Sequence, residues 1–286
     1  DTHQESSNGK LAFIFPGQGS QSTGMLAELA SEFEMVGATY SEASDAVGFD
    51  LWQLTQTGSE GELNRTENTQ PALLTAGVAV WRIWQTNHGQ QPEVMAGHSL
   101  GEYTALVCSG SISLVDAVKL VKDRGNYMQQ AVAEGSGAMT AILGLDESII
   151  SELCNDAAQG EVVTVANINS PKQIVIAGHV EAVRRASVMA KNSGAKRTVE
   201  LSVSVPSHCV LMESAAEKLS ERLNQIDIND ADVPIVQNID ALPRTNASEI
   251  RSALISQLCQ PVQWTKTITK FKDMEISSVI KRFLNF

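Results

Sequence analysis

Short apolar runs alternate with longer amphipathic segments along the first half of the chain. Leu11–Phe15 is an apolar run closed by Pro16-Gly17, and Val94-Met95-Ala96 is a second such run. Both runs are typical of buried parallel strands that end in a turn. Apolar residues recur at helical spacing over 72–85 and 114–132, which predicts two helices with a buried face. Strands that alternate with helices predict an α/β fold with a parallel sheet covered on both sides.

A different pattern follows between 137 and 204. The predicted elements are a strand over 138–145, a helix over 146–158, strands over 162–168 and 173–177, a helix over 179–192 and a strand over 196–201. This order is that of a split ferredoxin-like arrangement. We therefore predict a small ferredoxin-like subdomain over 137–204, inserted into a large α/β domain formed by 11–136 and 205–286. The polar residues 1–10 are expected to be a disordered tail or the remnant of a tag.

Composition and charge exclude several classes of function. The 286 residues are 43% hydrophobic, which is enough for a substantial core. Acidic side chains outnumber basic ones by 33 to 21, and the net charge of -12 disfavours nucleic acid as a partner. The four cysteines are widely spaced, which indicates neither disulfides nor a zinc site. The longest apolar stretch, 73–84, is too short to span a bilayer, so we expect a soluble cytoplasmic protein without a membrane partner.

Gly97-His98-Ser99-Leu100-Gly101 matches the Gly-x-Ser-x-Gly pattern and lies between a predicted strand and a predicted helix. In an α/β-hydrolase-like parallel-sheet core, this turn exposes the serine hydroxyl above the edge of the sheet. The backbone amide of Leu100 would then point at a developing oxyanion. The alternative is a glycine-rich turn with an incidental serine, but the strand-to-helix context favours Ser99 as a nucleophile.

A serine nucleophile needs a base, and the chain has five histidines. His3 lies in the predicted tail, His88 and His179 lie near predicted helix ends, and the side chain of His98 should diverge from its neighbour Ser99. His208 remains, in a loop where the chain re-enters the large domain, and such loops often carry catalytic groups. A structural role for a lone histidine stays open at this point.

Two further positions are weaker candidates on pattern alone. Gln18 lies in a glycine-containing turn after the first strand, where its amide could supply a second oxyanion donor. A plain turn is the alternative, and Ser22 in place of a third glycine disfavours a dinucleotide site. Arg124 lies inside a predicted helix, where an arginine is usually a solvated surface charge.

Six motifs, in order and at matching spacing, resemble the bacterial malonyl-CoA:acyl carrier protein transacylases. They are Phe15-Pro16-Gly17-Gln18-Gly19-Ser20-Gln21, Thr69-Gln70-Pro71-Ala72, Gly97-His98-Ser99-Leu100-Gly101-Glu102-Tyr103, Arg124-Gly125, Ser207-His208 and Pro261-Val262-Gln263-Trp264. The resemblance extends from Leu11 to about Met274. It implies transfer of malonyl from coenzyme A to the phosphopantetheine thiol of acyl carrier protein, through a malonyl-serine ester, in fatty acid biosynthesis.

The resemblance also implies a role for each matching residue. Ser99 would be the nucleophile, and His208 would be the acid and base. The backbone amides of Gln18 and Leu100 would form the oxyanion hole, Arg124 would bind the malonyl carboxylate, and the backbone carbonyl of Gln257 would orient the histidine. Three further residues would line the cleft: Asn167, Asn169 and His98. No metal or organic cofactor is implied, because the coenzyme A thioester is a substrate. Malonyl-CoA and acyl carrier protein are the expected partners of a monomer.

Two features depart from the family pattern. A V-G-P-G-x-V-L stretch is expected after this region, whereas 272–276 run directly into 277–282, which resemble the family's terminal helix. Acyl carrier protein is acidic, so an acidic chain needs a local basic surface to dock it. Candidates on the small subdomain are Arg184, Arg185, Lys191, Lys196 and Arg197, with ordinary solvated charges as the alternative.

Two rival functions can be tested against this one. A serine esterase expects an acidic residue between serine and histidine in chain order, and Asp146 and Glu161 occupy that interval, although both lie in the predicted insert. A catalytically silent module that binds acyl carrier protein is the second rival. Incubation with malonyl-CoA separates a transferase, an esterase and a silent module.

Overall fold

The computed structural model describes residues 9–203 and 205–281, so most of the predicted tail over 1–10, including His3, lies outside the described residues. The strands are β1 (Leu11–Phe15), β2 (Val94–Gly97), β3 (Gly137–Leu143), β4 (Val163–Ser170), β5 (Gln173–His179), β6 (Arg197–Glu200), β7 (Ile235–Val236), β8 (Pro243–Arg244) and β9 (Ser278–Ile280). The helices are α1 (Ala27–Glu32), α2 (Glu34–Val47), α3 (Leu51–Thr57), α4 (Glu60–Leu63), α5 (Thr66–Thr86), α6 (Leu100–Cys108), α7 (Leu114–Gln130), α8 (Glu147–Ala158), α9 (Val180–Asn192), α10 (Glu213–Leu223), α11 (Ala247–Gln257) and α12 (Trp264–Asp273). A short 3-10 turn over Val210–Met212 precedes α10.

A five-stranded sheet in the order β8-β7-β2-β1-β9 forms the centre of the large domain. Its strands β7, β2, β1 and β9 are parallel, and only β8 pairs antiparallel at one edge. The predicted α/β class with a parallel sheet is therefore confirmed. Because parallel strands are covered on both faces, the side chains of β1 and β2 are almost entirely buried.

Two long helices, α5 and α7, share one apolar core with Phe13 and Met95 of this sheet. α5 is longer than the apolar stretch predicts, because it begins at Thr66 and includes Pro71 within its first two turns. It buries nearly every side chain between Thr69 and Trp81 and packs against α7, whose apolar stripe includes Val118, Val121 and Met128. This packing fixes the position of α7 relative to the carboxyl end of β2.

A second sheet of four antiparallel strands has the order β4-β5-β3-β6. Helices α8 and α9 lie against it around a separate apolar core that contains Ile142, Ile150 and Ile176. The order strand-helix-strand-strand-helix-strand with these pairings is a ferredoxin-like topology. The chain rejoins the core of the large domain at Val205.

The expectation that 277–282 resemble a terminal helix is wrong for the residues that are described. Ser278–Ile280 form strand β9, which pairs parallel with β1 through Leu11↔Ser278 and Phe13↔Ile280. The β-branched Val279 and Ile280 favour a strand, and β1 would otherwise present an unpaired edge. Arg282 lies outside the described residues.

Several sequence-based exclusions can be compared with the fold. No helix in the described ranges is both long and apolar enough to cross a bilayer. All four cysteines are free thiols. Among residues 9–203 and 205–281, no group of three or more His, Cys, Asp or Glu side chains is placed to hold a metal ion.

Candidate active site

Ser99 lies on the sharp turn between β2 and α6. Its backbone has φ 52° and ψ -109°, a conformation that is strained for a residue other than glycine. The flanking glycines are required by packing: a Cβ on Gly97 would lie 1.8 Å from the carbonyl carbon of Gly101, and a Cβ on Gly101 would lie 2.2 Å from the carbonyl oxygen of Phe15. The turn therefore has the geometry of a nucleophile elbow, in which the serine side chain stands above the end of β2.

The buried side chain of Asn238 holds this turn from both sides. Its Nδ2 donates to the carbonyl oxygen of Gly97 at 2.7 Å, and its Oδ1 accepts from the amide of Ser99 at 2.8 Å. Asn238 was not among the residues that the sequence singles out. Its position along the chain is a signal, because Asn238 comes shortly after the parallel strand β7. The carboxyl end of β7 lies beside that of β2, and ligand sites of parallel sheets form at this edge.

His208 is brought to Ser99 although the two are far apart in sequence. Its Nε2 lies 2.8 Å from Ser99 Oγ, and its Nδ1 lies 2.8 Å from the backbone carbonyl oxygen of Gln257. A carbonyl oxygen can only accept, so Nδ1 carries the proton and Nε2 is free to accept one from the hydroxyl. Burial and the nearby charge of Arg124 lower the pKa of His208 to about 3, which keeps the ring neutral.

The partner of His208 Nδ1 is thus an uncharged carbonyl rather than a carboxylate. Asp146 and Glu161, the acids considered for an esterase triad, do not contact this histidine. Asp146 forms an ion pair with Lys172 at 2.8 Å, and Glu161 forms one with Arg185 at 2.7 Å, both on the small subdomain.

Arg124 is only 1% exposed, so its interpretation as a solvated surface charge is wrong. Its Nη1 donates to Gln70 Oε1 at 2.8 Å, and its Nη2 donates to Gln257 Oε1 at 3.0 Å and lies 3.4 Å from Ser99 Oγ. The guanidinium carbon lies 5.2 Å from the centroid of the Tyr103 ring. Burial lowers the pKa of Arg124, while the partners that accept its hydrogen bonds are uncharged amides. A buried cation with neutral partners beside a nucleophile is well placed to bind an anionic group.

Gln257 connects three parts of the site. Its backbone carbonyl binds His208, its Oε1 accepts from Arg124, and its Nε2 donates to the carbonyl oxygen of Ser99 at 3.0 Å and to Glu102 Oε2. Sequence reasoning singled out only the backbone carbonyl. The side-chain contacts make Gln257, at the end of α11, the structural link between the nucleophile turn, the histidine and the arginine.

The space above Ser99 is a cleft between the two sheets. Gln18 and Leu100 line it from the large domain, and Met139 and Asn167 line it from the small subdomain. The backbone amides of Gln18 and Leu100 donate to no acceptor within the described residues, and the side chain of Gln18 donates to Thr66 Oγ1 at 3.3 Å. Both amides are therefore available to a ligand in this cleft.

His98 and the two asparagines lie where the subdomains meet. His98 Nε2 lies 2.8 Å from Asn169 Oδ1, and its ring packs 5.5 Å from that of Trp264, so its side chain diverges from that of Ser99. Burial lowers the pKa of His98. Asn167 pairs with Val262 in a parallel bridge, which joins β4 to the large domain. Of these three residues, Asn167 and His98 line the cleft.

Comparison with known proteins places this geometry in context. Residues 12–281 match the acyl transferase domain family. The chain is 56% identical over 259 residues to the malonyl CoA-acyl carrier protein transacylase of Salmonella typhimurium, covering 91% of this chain and 84% of the relative. It is similar to the solved transacylase of Coxiella burnetii, with 49% identity, a TM-score of 0.95 and coverage of 97% and 88% of the two chains. A malonyl-transacylase solved in complex with a type II PKS acyl-carrier protein is 50% identical, with a TM-score of 0.95 and coverage of 96% and 89%.

Proposed function

The chain belongs to the acyl transferase domain family, and from this premise we propose that it is a malonyl-CoA:acyl carrier protein transacylase of fatty acid biosynthesis. The observation that carries the proposal is the buried guanidinium of Arg124, which lies 3.4 Å from the hydroxyl of Ser99. A serine beside a fixed positive charge is suited to an acyl group that ends in a carboxylate.

Acylation begins when the Ser99 hydroxyl attacks the thioester carbon of malonyl-CoA. His208 Nε2 takes the hydroxyl proton, and the carbonyl of Gln257 stabilises the imidazolium through Nδ1. The amides of Gln18 and Leu100 bind the tetrahedral oxyanion, each contributing about 3 kcal/mol. The carbon–sulfur bond then breaks, and His208 returns the proton to the coenzyme A thiolate.

The second half-reaction repeats these steps in reverse order. The phosphopantetheine thiol of acyl carrier protein attacks the malonyl-serine ester, His208 removes the thiol proton, and Ser99 leaves as a hydroxyl. No metal or organic cofactor takes part in either half-reaction, since both exchange an acyl group between a thiol and a hydroxyl. The reaction is a ping-pong transfer between two thiols.

Arg124 gives the reaction its acyl selectivity. A guanidinium binds a carboxylate through two parallel, charge-assisted hydrogen bonds, and an acetyl group offers nothing to bind there. A bound malonyl carboxylate also offsets the charge of Arg124, which is the second largest cause of the low pKa of His208. Malonyl binding therefore makes the imidazole a stronger base at the moment when it is needed.

Docking of the acidic carrier requires a basic surface beside the cleft. We propose Lys191, Lys196 and Arg197, which are exposed at the end of α9 and the start of β6, as its centre. Arg184 and Arg185 contribute less because each already forms an ion pair with a neighbouring glutamate. The free cysteines fit an enzyme of the reducing cytoplasm, and we propose that it acts as a monomer.

Intact-mass spectrometry after incubation with malonyl-CoA tests the proposal. We expect one malonyl adduct on the protein, none on Ser99→Ala, and transfer of the adduct to added phosphopantetheinylated carrier. An adduct that is lost to water as fast as to the carrier indicates an esterase. No adduct on the parent chain indicates a silent binding module, and either result contradicts the proposal.

A further inference from the structure

Glu102 is a fully buried acid one helical turn after Ser99, and the steps above assign it no role. It is 0% exposed and does not line the cleft. Both carboxylate oxygens accept hydrogen bonds: Oε1 from the amide of Asn238 at 3.2 Å, and Oε2 from Gln257 Nε2. Glu102 therefore contacts the two residues that hold the nucleophile turn and the arginine.

The contacts of Nε2 with Glu102 and with the carbonyl oxygen of Ser99 fix which way the Gln257 carboxamide faces. A carboxamide has one donating and one accepting end, and here the donating Nε2 points to Glu102 and the accepting Oε1 points to Arg124. A carboxylate only accepts, so it can be satisfied only by the Nε2 end. With that end held, the oxygen must face the guanidinium.

We propose that Glu102 is a positioning residue for malonyl selectivity, which acts through Gln257 to hold the Arg124 guanidinium in place for the malonyl carboxylate. This inference rests on the proposed function. Glu102 does not touch the acyl group. It stabilises the orientation of Gln257 in which Arg124 meets an acceptor, the Oε1 atom at the end of α11.

Loss of the negative charge at position 102 would destabilise this orientation of the carboxamide. A glutamine there has one oxygen and one NH2 group, so it cannot accept from both the Asn238 amide and Gln257 Nε2. The backbone amide is fixed, whereas the Gln257 carboxamide can rotate by half a turn. If the carboxamide keeps its orientation, its NH2 group meets the NH2 group of the new glutamine, and if it rotates, its NH2 group faces the guanidinium of Arg124. Two donors oppose each other in either case, and the acceptor for Arg124 is no longer held in place.

The surroundings of Glu102 allow its charge to change near neutral pH. Burial raises the pKa of Glu102 to about 7, while hydrogen bonds from the Asn238 amide, Gln257 and Gln237 and the charge of Arg124 act in the opposite direction. The other charged or titratable groups coupled to it are Tyr103 on the same helix and Arg244 on β8. A protonated Glu102 resembles a glutamine, because one of its oxygens becomes a donor.

The first test compares malonyl with acetyl loading of Ser99 by rapid-quench intact-mass spectrometry. At pH 8 we expect Glu102→Gln to lower the malonyl-to-acetyl ratio of loading rates by about tenfold or more, the loss expected for one charge-assisted hydrogen bond. The exposed Glu147→Gln on α8 is the matched control and should leave the ratio unchanged. An equal loss for both acyl groups is the result of a merely structural role, and it overturns the inference.

A double-mutant cycle tests whether Glu102 acts through Gln257. Gln257→Met removes the carboxamide at similar length and should lower the same ratio. If Glu102 acts through the carboxamide of Gln257, adding Glu102→Gln to Gln257→Met changes the ratio by less than about twofold. The carboxamide through which Glu102 acts on Arg124 is already absent in Gln257→Met. Independent, multiplicative effects of the two substitutions would show that Glu102 does not act through Gln257.

A third measurement needs no variant and remains valid if Glu102→Gln fails to fold. In the parent protein the malonyl-to-acetyl ratio should fall as the pH is lowered from about 8.5 to about 5.5, a range in which the malonyl carboxylate stays ionised. His208 stays neutral over most of this range with either acyl group, because desolvation, the largest cause of its low pKa, remains when the malonyl carboxylate offsets the charge of Arg124. A ratio that does not change with pH contradicts the inference. Absence of any malonyl adduct on the parent chain would instead contradict the proposed function itself.

Discussion

Replacement of Arg124 by methionine tests the origin of acyl selectivity most directly. Methionine is unbranched and replaces the aliphatic part of the arginine, so Arg124→Met removes the charge and all donors while it leaves the Ser99–His208 pair in place. Each Nη nitrogen of Arg124 carries two hydrogens, and Gln70 and Gln257 each use one of them. One hydrogen on each nitrogen therefore remains for a carboxylate, since the contact with Ser99 Oγ at 3.4 Å is long.

The size of the effect follows from that count. Two charge-assisted hydrogen bonds at the lower value of about 1.5 kcal/mol each give about 3 kcal/mol, which corresponds to a loss on the order of a hundredfold in malonyl loading. Acetyl makes neither bond, so its loading rate should change by no more than a few fold. Arg124→Lys keeps the charge but loses the planar fork, and we expect it to fall between the parent and Arg124→Met.

The assay is single-turnover loading of Ser99 with malonyl-CoA and acetyl-CoA in parallel, followed by intact-mass spectrometry. Thermal unfolding of each variant serves as the control for folding, because Arg124→Met leaves the amides of Gln70 and Gln257 without their partner. If malonyl and acetyl loading fall by the same factor in a folded Arg124→Met protein, Arg124 does not recognise the carboxylate and the reasoning is refuted.

Three further predictions concern the nucleophile and its turn. Inactivation of Ser99 by a small sulfonyl fluoride should stay constant as the pH falls through 6.5, because the low pKa of His208 keeps the base neutral; a midpoint near 6.5 would contradict this. Asn238→Ala should lower malonyl loading and destabilise the protein by about 1–3 kcal/mol in urea unfolding, since it leaves buried backbone groups unpaired; unchanged stability would show that the carboxamide is dispensable. Gly101→Ala should lower the melting temperature by several degrees because its Cβ would meet the backbone of β1, whereas Gly61→Ala, with open space around it, should not; equal melting temperatures would refute the packing argument.

Runs of apolar residues made the fold predictable. The parallel strands β1 and β2 are short apolar runs closed by glycine, and the ferredoxin-like order follows from alternating run lengths over 137–204. The error at Ser278–Ile280 has a different cause, because likeness to a terminal helix outweighed the β-branched residues themselves. Three residues are too few for periodicity to decide between a strand and a helix.

The Ser99–His208 pair was predictable only in part. The elbow carries a local signal in its two glycines, whereas His208 was reached by elimination and by resemblance. No local pattern could give the distance between them, because the chain passes through the whole small subdomain before it rejoins the core of the large domain at Val205. The contact between Ser99 and His208 therefore depends on how the chain is connected through the inserted subdomain. It does not depend on the sequence near either residue.

Arg124 and Gln257 share a signal that the residue type alone concealed. Arg124 follows Val121 by three positions and precedes Met128 by four, so it lies within the buried stripe of α7. Gln257 follows Leu254 by three positions and Ile250 by seven, which places it within the buried stripe of α11. A polar side chain in such a stripe loses its contact with water when the protein folds. This loss costs free energy unless the side chain finds hydrogen-bond partners inside the protein. The two residues meet this requirement partly through each other, which explains why neither stripe predicts the contact when it is considered alone.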